Sequence, residues 1–436
     1  MHEVKAFLCG YFTRQLSADF KQMAAEGWER RKPSDEQISD LKRLYYSEFV
    51  DFCFADDESC GGCVELCRKV DETIVLTTKS GDVPLRVDEL SLYLMPMDVT
   101  LLKIGVSLSV DDLNLATAAL ASLRMVDYYN EESHGDFMRV AVDALLVQYR
   151  ALTAATDGGV SRLVEQGNKF RIFAIVNSIE GDEPESATRL SDVTLYQLGT
   201  VSRVTDGELE GSGVSKVYLD KILEESRVSV FDTWHALALN DTFTVHGIGL
   251  SPKLVEQWCD CYFGMIYLHS LMVKSFLFGL NAQLREAFKD KASGMRQLST
   301  AFGISCSPID VLARRFEEFE RRCCFHKVSY NFLPVLLDAA IDKGLCIAEE
   351  KEQLFGVLDK EKARRDTAND RLVNGLLFVL SLLTLFSAIW DFSCLLNEMY
   401  PYGNYFASSS VGYRWVTLLA VIVLVGVVSR LFARRR

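Results

Sequence analysis

Apolar positions along this chain fall into three patterns, and each predicts a different element. Residues 372–390, LVNGLLFVLSLLTLFSAIW, are nineteen consecutive residues without a charge. A bilayer core of roughly 30 Å is crossed by a helix of about 20 such residues, so this run predicts a first transmembrane helix. Residues 415–429, WVTLLAVIVLVGVVS, are a shorter run between Arg414 and Arg430. Both arginines can snorkel, and Tyr413 and Trp415 suit the interface, so this run predicts a second span. The second pattern, alternation, reads as strands. ETIVLTTKSGDVPLRV is a hairpin about Gly81-Asp82, ELSLYLMPMDVTLLKIGVSLS is two more strands, and NKFRIFAIV and SRVSVFDTW are later candidates. The third pattern is helical, as in VDDLNLATAALASLRMVDYYNEE with its acidic first turn, and it dominates after Pro252.

Three long helices are expected in that later part. The first is LVEQWCDCYFGMIYLHSLMVKSFLFGLNAQLREAFKD, whose centre is apolar enough to suggest a membrane. It contains Asp260, His269 and Lys274, and a charged side chain costs about 2.5–3.5 kcal/mol at mid-membrane, so a buried cytosolic helix is expected instead. The second runs from about Pro308 and breaks near Gly344. The third starts near Ala348 and meets no proline before Pro401. It continues into the first span, some fifty residues and roughly 75 Å of helix. EGDEPES at 180–186 and TDGELEGSG at 205–213 read as loops. The expectation is an α+β membrane protein, divided into a cytosolic α/β domain at 1–250, a helical hairpin at 251–345 and a stalk at 346–371. A pore-lining span at 372–396, an outer loop at 397–414, a second span at 415–431 and a basic cytoplasmic tail at 432–436 complete it.

Charge orients these pieces. Arg364, Arg365 and Arg371 precede the first span and Arg430, Arg434, Arg435 and Arg436 follow or end the second, whereas the loop holds only Arg414. The positive-inside rule then places both termini in the cytoplasm and the loop outside a cell (inner) membrane. The N-terminal MHEVKAFLCG lacks the pattern of a cleavable leader. A formal net charge of −13 argues against direct nucleic-acid binding through a broad basic face. The six histidines are dispersed without HExxH spacing, and there is no nucleophile elbow or Gly-rich phosphate loop, so no enzyme is expected. Of twelve cysteines, Cys53, Cys60, Cys63 and Cys67 crowd together. Cys60-x2-Cys63 has the bite of a zinc site, with Cys67 as a further candidate ligand and unliganded buried thiols as the alternative. Asp366 and Asp370 read as a solvated face.

Polar residues in the first span are spaced, not scattered. Asn374, Ser381, Thr384 and Asp391 follow at intervals of 7, 3 and 7, which puts them on one stripe of a helix. Such a stripe is either a packing seam or, because Asp391 is ionisable, the wall of a water-filled path. Two spans cannot enclose a pore, so a pore requires several copies, whose rings of amide, hydroxyl and carboxylate oxygen suit cations.

Taken together, the cytosolic domain, the long helix entering the first of two C-terminal spans, the outer loop with Tyr402-Gly403-Asn404 and the basic tail resemble the CorA family of divalent-cation transporters. The resemblance is best over residues 254–436. It implies a homopentamer with the first span lining the pore and Asn404 holding a hydrated ion. The family's Tyr-Gly-Met-Asn is here Tyr-Gly-Asn, followed by Tyr405-Phe406-Ala407-Ser408 where Met-Pro-Glu is usual. Two functions stay open. One is an antiviral effector, similar to the divergent CorA-like proteins of type III CRISPR systems, opened by a nucleotide second messenger of the SAM-AMP type. The other is a magnesium or divalent-cation transporter gated by cytosolic metal.

Overall fold

A computed structural model of the chain describes residues 1–12, 20–54, 62–144, 169–179, 191–204, 214–290 and 308–399. The chain divides into two compact units, Met1–Arg296 with Cys306–Gly356, and Gln297–Ser305 with Val357–Arg436. The division therefore falls at Gly356, and the helices between residues 250 and 346 belong to the same unit as the sheet.

Nine strands form one sheet in the order β2-β3-β4-β5-β1-β6-β9-β8-β7. They are β1 (His2–Phe12), β2 (Glu29–Arg31), β3 (Val64–Thr78), β4 (Gly81–Met95), β5 (Val99–Val110), β6 (Arg171–Ser178), β7 (Arg227–Phe231), β8 (Trp234–Ala238) and β9 (Thr242–Ile248). Every pairing is antiparallel except β6 with β9. The architecture is thus α+β, and the α/β expectation for residues 1–250 is corrected: a βαβ-wound sheet would need mostly parallel neighbours. In the β3–β4 hairpin Ile74 faces Leu85 and Leu76 faces Val83, all buried, while the residues between them point outward. The turn is Lys79-Ser80, two residues before the expected Gly81-Asp82. Thr78 Oγ1 accepts from the Ser80 N–H (3.2 Å) and donates to the Gly81 carbonyl (2.7 Å). Gly81 opens β4 at φ +133°, a value that L side chains rarely adopt. ELSLYLM is the rest of β4, so the stretch expected to hold two further strands adds one, β5.

Helices cover both faces of this sheet. Before β3 come α1 (Phe20–Ala25), α2 (Asp35–Leu44) and α3 (Ser47–Cys53). After β5, α4 (Leu113–Arg124) and α5 (Glu131–Phe137) lie over one face, on Val4, Ala6, Leu8, Ile172 and Ala174. Next come α6 (Asp192–Thr200), α7 (Lys216–Ser226) and α8 (Pro252–Gln257), and then, after a π-turn, α9 (Phe263–Asp290). The face toward α9 is aromatic: Phe173 lies 5.7 Å from Phe7, 5.3 Å from Phe243 and 5.7 Å from Tyr267. Each such ring contributes about 1.5–3 kcal/mol by burial, so α9 is held by the sheet as core.

The helix expected from Pro308 to Gly344 is two helices, α10 (Pro308–Cys323) and α11 (Phe332–Gly344), so residues 251–345 are not a simple hairpin. The break is set by distant partners. Ser329 bridges to Tyr45 and its hydroxyl donates to the Leu44 carbonyl, while Tyr330 donates to Lys42 O (2.9 Å) and Asn331 Nδ2 to Leu44 O (3.1 Å). These bonds satisfy the last carbonyls of α2, which a continuous helix could not reach. The final described helix, α12, is Ile347–Met399 without interruption.

Candidate functional site

By length and composition alone, the one stretch among the described residues long and apolar enough to cross a membrane is Pro252–Phe288; Val373–Ala388 is a shorter apolar stretch. Packing separates them. In the first, 89% of the most apolar 18-residue window is buried. Its polar side chains are spent on neighbouring helices. The His269 ring nitrogen Nε2 lies 2.8 Å from the Cys323 carbonyl at the end of α10, and Ser270 donates to Asp342 (3.0 Å). Lys274, buried, donates from Nζ to the Leu345 carbonyl just past α11 (2.7 Å) and to Glu350 in the first turn of α12 (2.6 Å). His269 and Lys274, counted as unfavourable in lipid, therefore tie the ends of α10 and α11 and the start of α12 to a buried helix.

Along α12 the arrangement is the opposite. Val373, Leu376, Leu377, Phe378, Leu380, Leu383, Leu385 and Trp390 are each 42–59% exposed. Asn374, Ser381, Thr384 and Asp391 are exposed as well, and at 3.6 residues per turn they fan over roughly 100° of arc. Ser381 Oγ donates to Leu377 O (2.8 Å) and Thr384 Oγ1 to Ser381 O (2.9 Å). Both hydroxyl protons are thus satisfied within the helix, which leaves oxygen lone pairs outward. The expected loop residues Tyr402, Gly403 and Asn404, the second span and the tail lie outside the described residues, as do the two acidic loops and Cys60.

Cys63 and Cys67 are not brought together. Cys63 lies just before β3 and Cys67 is its fourth residue, about 13 Å away along an extended chain. Cys67 joins another group, in which its Sγ and carboxylate oxygens of Glu65 and Glu89 all lie within 4.8 Å of one another. By donor chemistry this set would suit zinc. The carboxylates, however, hold side-chain cations: Glu89 bonds Arg31 (2.5 Å) and Lys103 (3.1 Å), and Glu65 accepts from Tyr93 (2.9 Å). Burial, then Glu89, pushes the Cys67 thiol up to about 11. The Lys103 ammonium is held well above its ordinary range by Tyr93 and the two carboxylates despite burial. The charges balance two against two, so the cluster is a closed ion-pair network and offers a metal no free ligand.

A feature that sequence reading missed lies on the opposite face of the sheet. A groove of about 1150 Å³ has its floor on α4, at Asn114, Thr117, Ala118, Ala121 and Ser122. Its walls come from the β3–β4 turn (Thr77–Ser80), from Tyr128 to His134, and from Val201 to Arg203. Ser122 Oγ is 2.8 Å from His134 Nε2, a spacing that resembles a nucleophile and its base. Among the described residues no carboxylate orients the ring as in a catalytic triad: Nδ1 meets the Asn130 N–H (3.3 Å) and Ser133 Oγ (2.7 Å). His134 is stacked on Tyr129 at 4.6 Å, and burial lowers its pKa and keeps it neutral. The only signal available in sequence was the small-residue face of α4.

Comparison with protein-family models, with curated proteins and with solved structures returned no match to this chain.

Proposed function

We propose that the chain is one subunit of a membrane-embedded homo-oligomer, pentameric as the CorA resemblance implies, that conducts ions when its sheet unit binds a ligand. The observation that carries this reading is the segment Val373–Ala388 and its continuation to Asp391. Seven large apolar side chains from Val373 to Leu385 are about half exposed among the described residues, while the polar ones share an arc of roughly 100° in which Ser381 and Thr384 settle their hydroxyl protons on the helix itself. Lipid suits the first set and a central water-filled path the second. Copies around an axis would give rings of oxygen ending in a ring of Asp391 carboxylates, which concentrates cations and excludes anions. The same resemblance makes the opening ligand a nucleotide second messenger and the cell membrane its place. Gating by cytosolic magnesium is the alternative.

Reconstituted protein tests the path itself. Asp391→Asn should lower cation-over-anion selectivity or flux without changing assembly, and Asp391→Lys should lower it further. Unaltered reversal potentials and flux in demonstrably open protein would make the stripe a packing seam. Opening by a nucleotide conjugate but not by magnesium withdrawal would separate the two ligands.

A further inference from the structure

We propose that the groove over α4 is the binding site of a small organic anion with a planar ring, an aromatic phosphate of about nucleotide size. The assignment rests on the ligand-gating reading only for what occupancy does, not for binding itself. Size comes first. About 1150 Å³ holds a ligand of that class, since small-molecule sites run from roughly 300 to 1,000 Å³. The floor is flat because the outward face of α4 repeats small residues, Asn114, Thr117, Ala118, Ala121 and Ser122, where Leu or Phe would fill the space. A ring can therefore lie close to the helix.

The walls supply two further kinds of contact. Tyr128 is 70% exposed at the rim, whereas the ring of its neighbour Tyr129 is committed to His134. An exposed phenol above an open floor is a stacking platform. Lys79, in the β3–β4 turn, and Arg203 both reach the groove, and neither has an ion pair among the described residues. By contrast Arg31, Arg86, Lys103, Arg124 and Arg139 of the same unit each meet a carboxylate. Two carboxylates also line the groove and must be counted. Asp112 is spent on α4, where Oδ1 accepts from the Asn114 N–H (2.8 Å) and from Asn114 Nδ2 (3.0 Å). Glu132 lies in the first turn of α5, where the helix dipole favours it. Formal charge in the groove balances two against two, but both carboxylates are placed at helix starts whereas the two cations have no ion-pair partner among the described residues. Arg and Lys are the side chains suited to phosphate oxygens, and the hydroxyl of Ser80 adds a donor beside them.

Full-length protein in nanodiscs tests this with a fluorescent N-methylanthraniloyl adenine nucleotide as probe, competed by AMP, by adenosine and by inorganic pyrophosphate. The wild type should bind the probe, with AMP competing better than adenosine or pyrophosphate alone. Lys79→Glu with Arg203→Glu should weaken binding by about 100-fold, and Tyr128→Ala by about tenfold. All three side chains are exposed, so the melting temperature should stay within a degree or two of the wild type, and Lys216→Glu, on α7 and outside the groove, should change nothing. Absence of probe binding, or equal affinity in wild type and groove variants, overturns the assignment, as does competition by pyrophosphate equal to that by AMP, which would make the groove a plain anion site. Conductance separates the two readings. Groove-dependent binding without any change in ion flux leaves the site standing and removes the gating role. Ligand-induced flux that survives the groove variants does the reverse.

Discussion

Two apolar helices of this chain, α9 and the Val373–Ala388 segment of α12, satisfy the same crude description and behave in opposite ways. On α9 the apolar side chains meet the aromatic face of the sheet, and the polar ones reach outward to the ends of other helices through His269, Ser270 and Lys274. On the Val373–Leu385 stretch of α12 the large apolar side chains are about half exposed among the described residues, and Ser381 and Thr384 return their protons to their own backbone. Composition is nearly silent on this difference. What separates a core helix from one suited to lipid is where its polar groups find their partners: a buried helix in a soluble unit can spend them on neighbours, whereas a helix facing lipid must settle them within itself.

Removing a polar group from each helix should therefore have unequal consequences. Lys274→Met leaves the Leu345 carbonyl and the Glu350 carboxylate without their shared partner. It should cost about 2–4 kcal/mol in urea unfolding, the range for breaking a buried pair from one side, reduced because the Glu350 side chain is 30% exposed. Ser381→Ala should stay within about 0.5 kcal/mol, since its hydroxyl only back-bonds. Similar losses at both positions would erase the contrast.

Acid should act on one helix and not the other. Burial lowers the pKa of His269 on α9 to about 4, and burial with His2 and His235 nearby lowers that of His246 on β9 to about 4. Both are neutral in the folded chain and bind a proton more readily when it unfolds. Their stabilisation is complete above the ordinary value near 6.5 and is lost as the pH falls toward 4. At pH 5 each should have cost the sheet unit up to roughly 2 kcal/mol. Residues 373–388 contain no histidine, so their amide exchange, corrected for the intrinsic pH dependence, should not follow. Asp338 of the same unit, pushed up to about 7 by burial and Asp342, works in the opposite sense, so the test compares the wild type with His269→Gln, and equal pH dependence of the two from pH 7 to pH 5 would contradict the assignment of a neutral, buried histidine.

How much of this was legible beforehand varies with the range of the forces involved. The β3–β4 hairpin, β5, α4 and the uninterrupted run from Ile347 could be read from alternation, capping and the absence of proline, all local signals. Asp112, read as part of an acidic first turn, is the N-cap of α4. β1 was overlooked although it is the middle strand of the sheet; buried on both sides between β5 and β6, it shows little alternation to find. The α10–α11 break depends on Ser329, Tyr330 and Asn331 meeting the end of α2, almost 290 residues away; Asn331 followed by Pro334 was a usable local hint. The groove was invisible because Lys79, Tyr128 and Arg203 converge only in three dimensions, and each reads in sequence as an ordinary surface residue.

The most direct measurement of the membrane assignment is a nitroxide scan from residue 373 to residue 391 in nanodiscs, reading collision with molecular oxygen against a water-soluble nickel complex. Labels at Leu376, Val379, Leu383 and Phe386, which lie opposite the polar arc, should show high oxygen and low nickel accessibility, greatest near the middle of the segment. Those at Asn374, Ser381, Thr384 and Asp391 should show nickel accessibility recurring with helical phase. Uniform nickel accessibility at every position, with the protein recovered as a soluble species when lipid is withheld, would contradict the account and make Val373–Ala388 a surface that another protein covers.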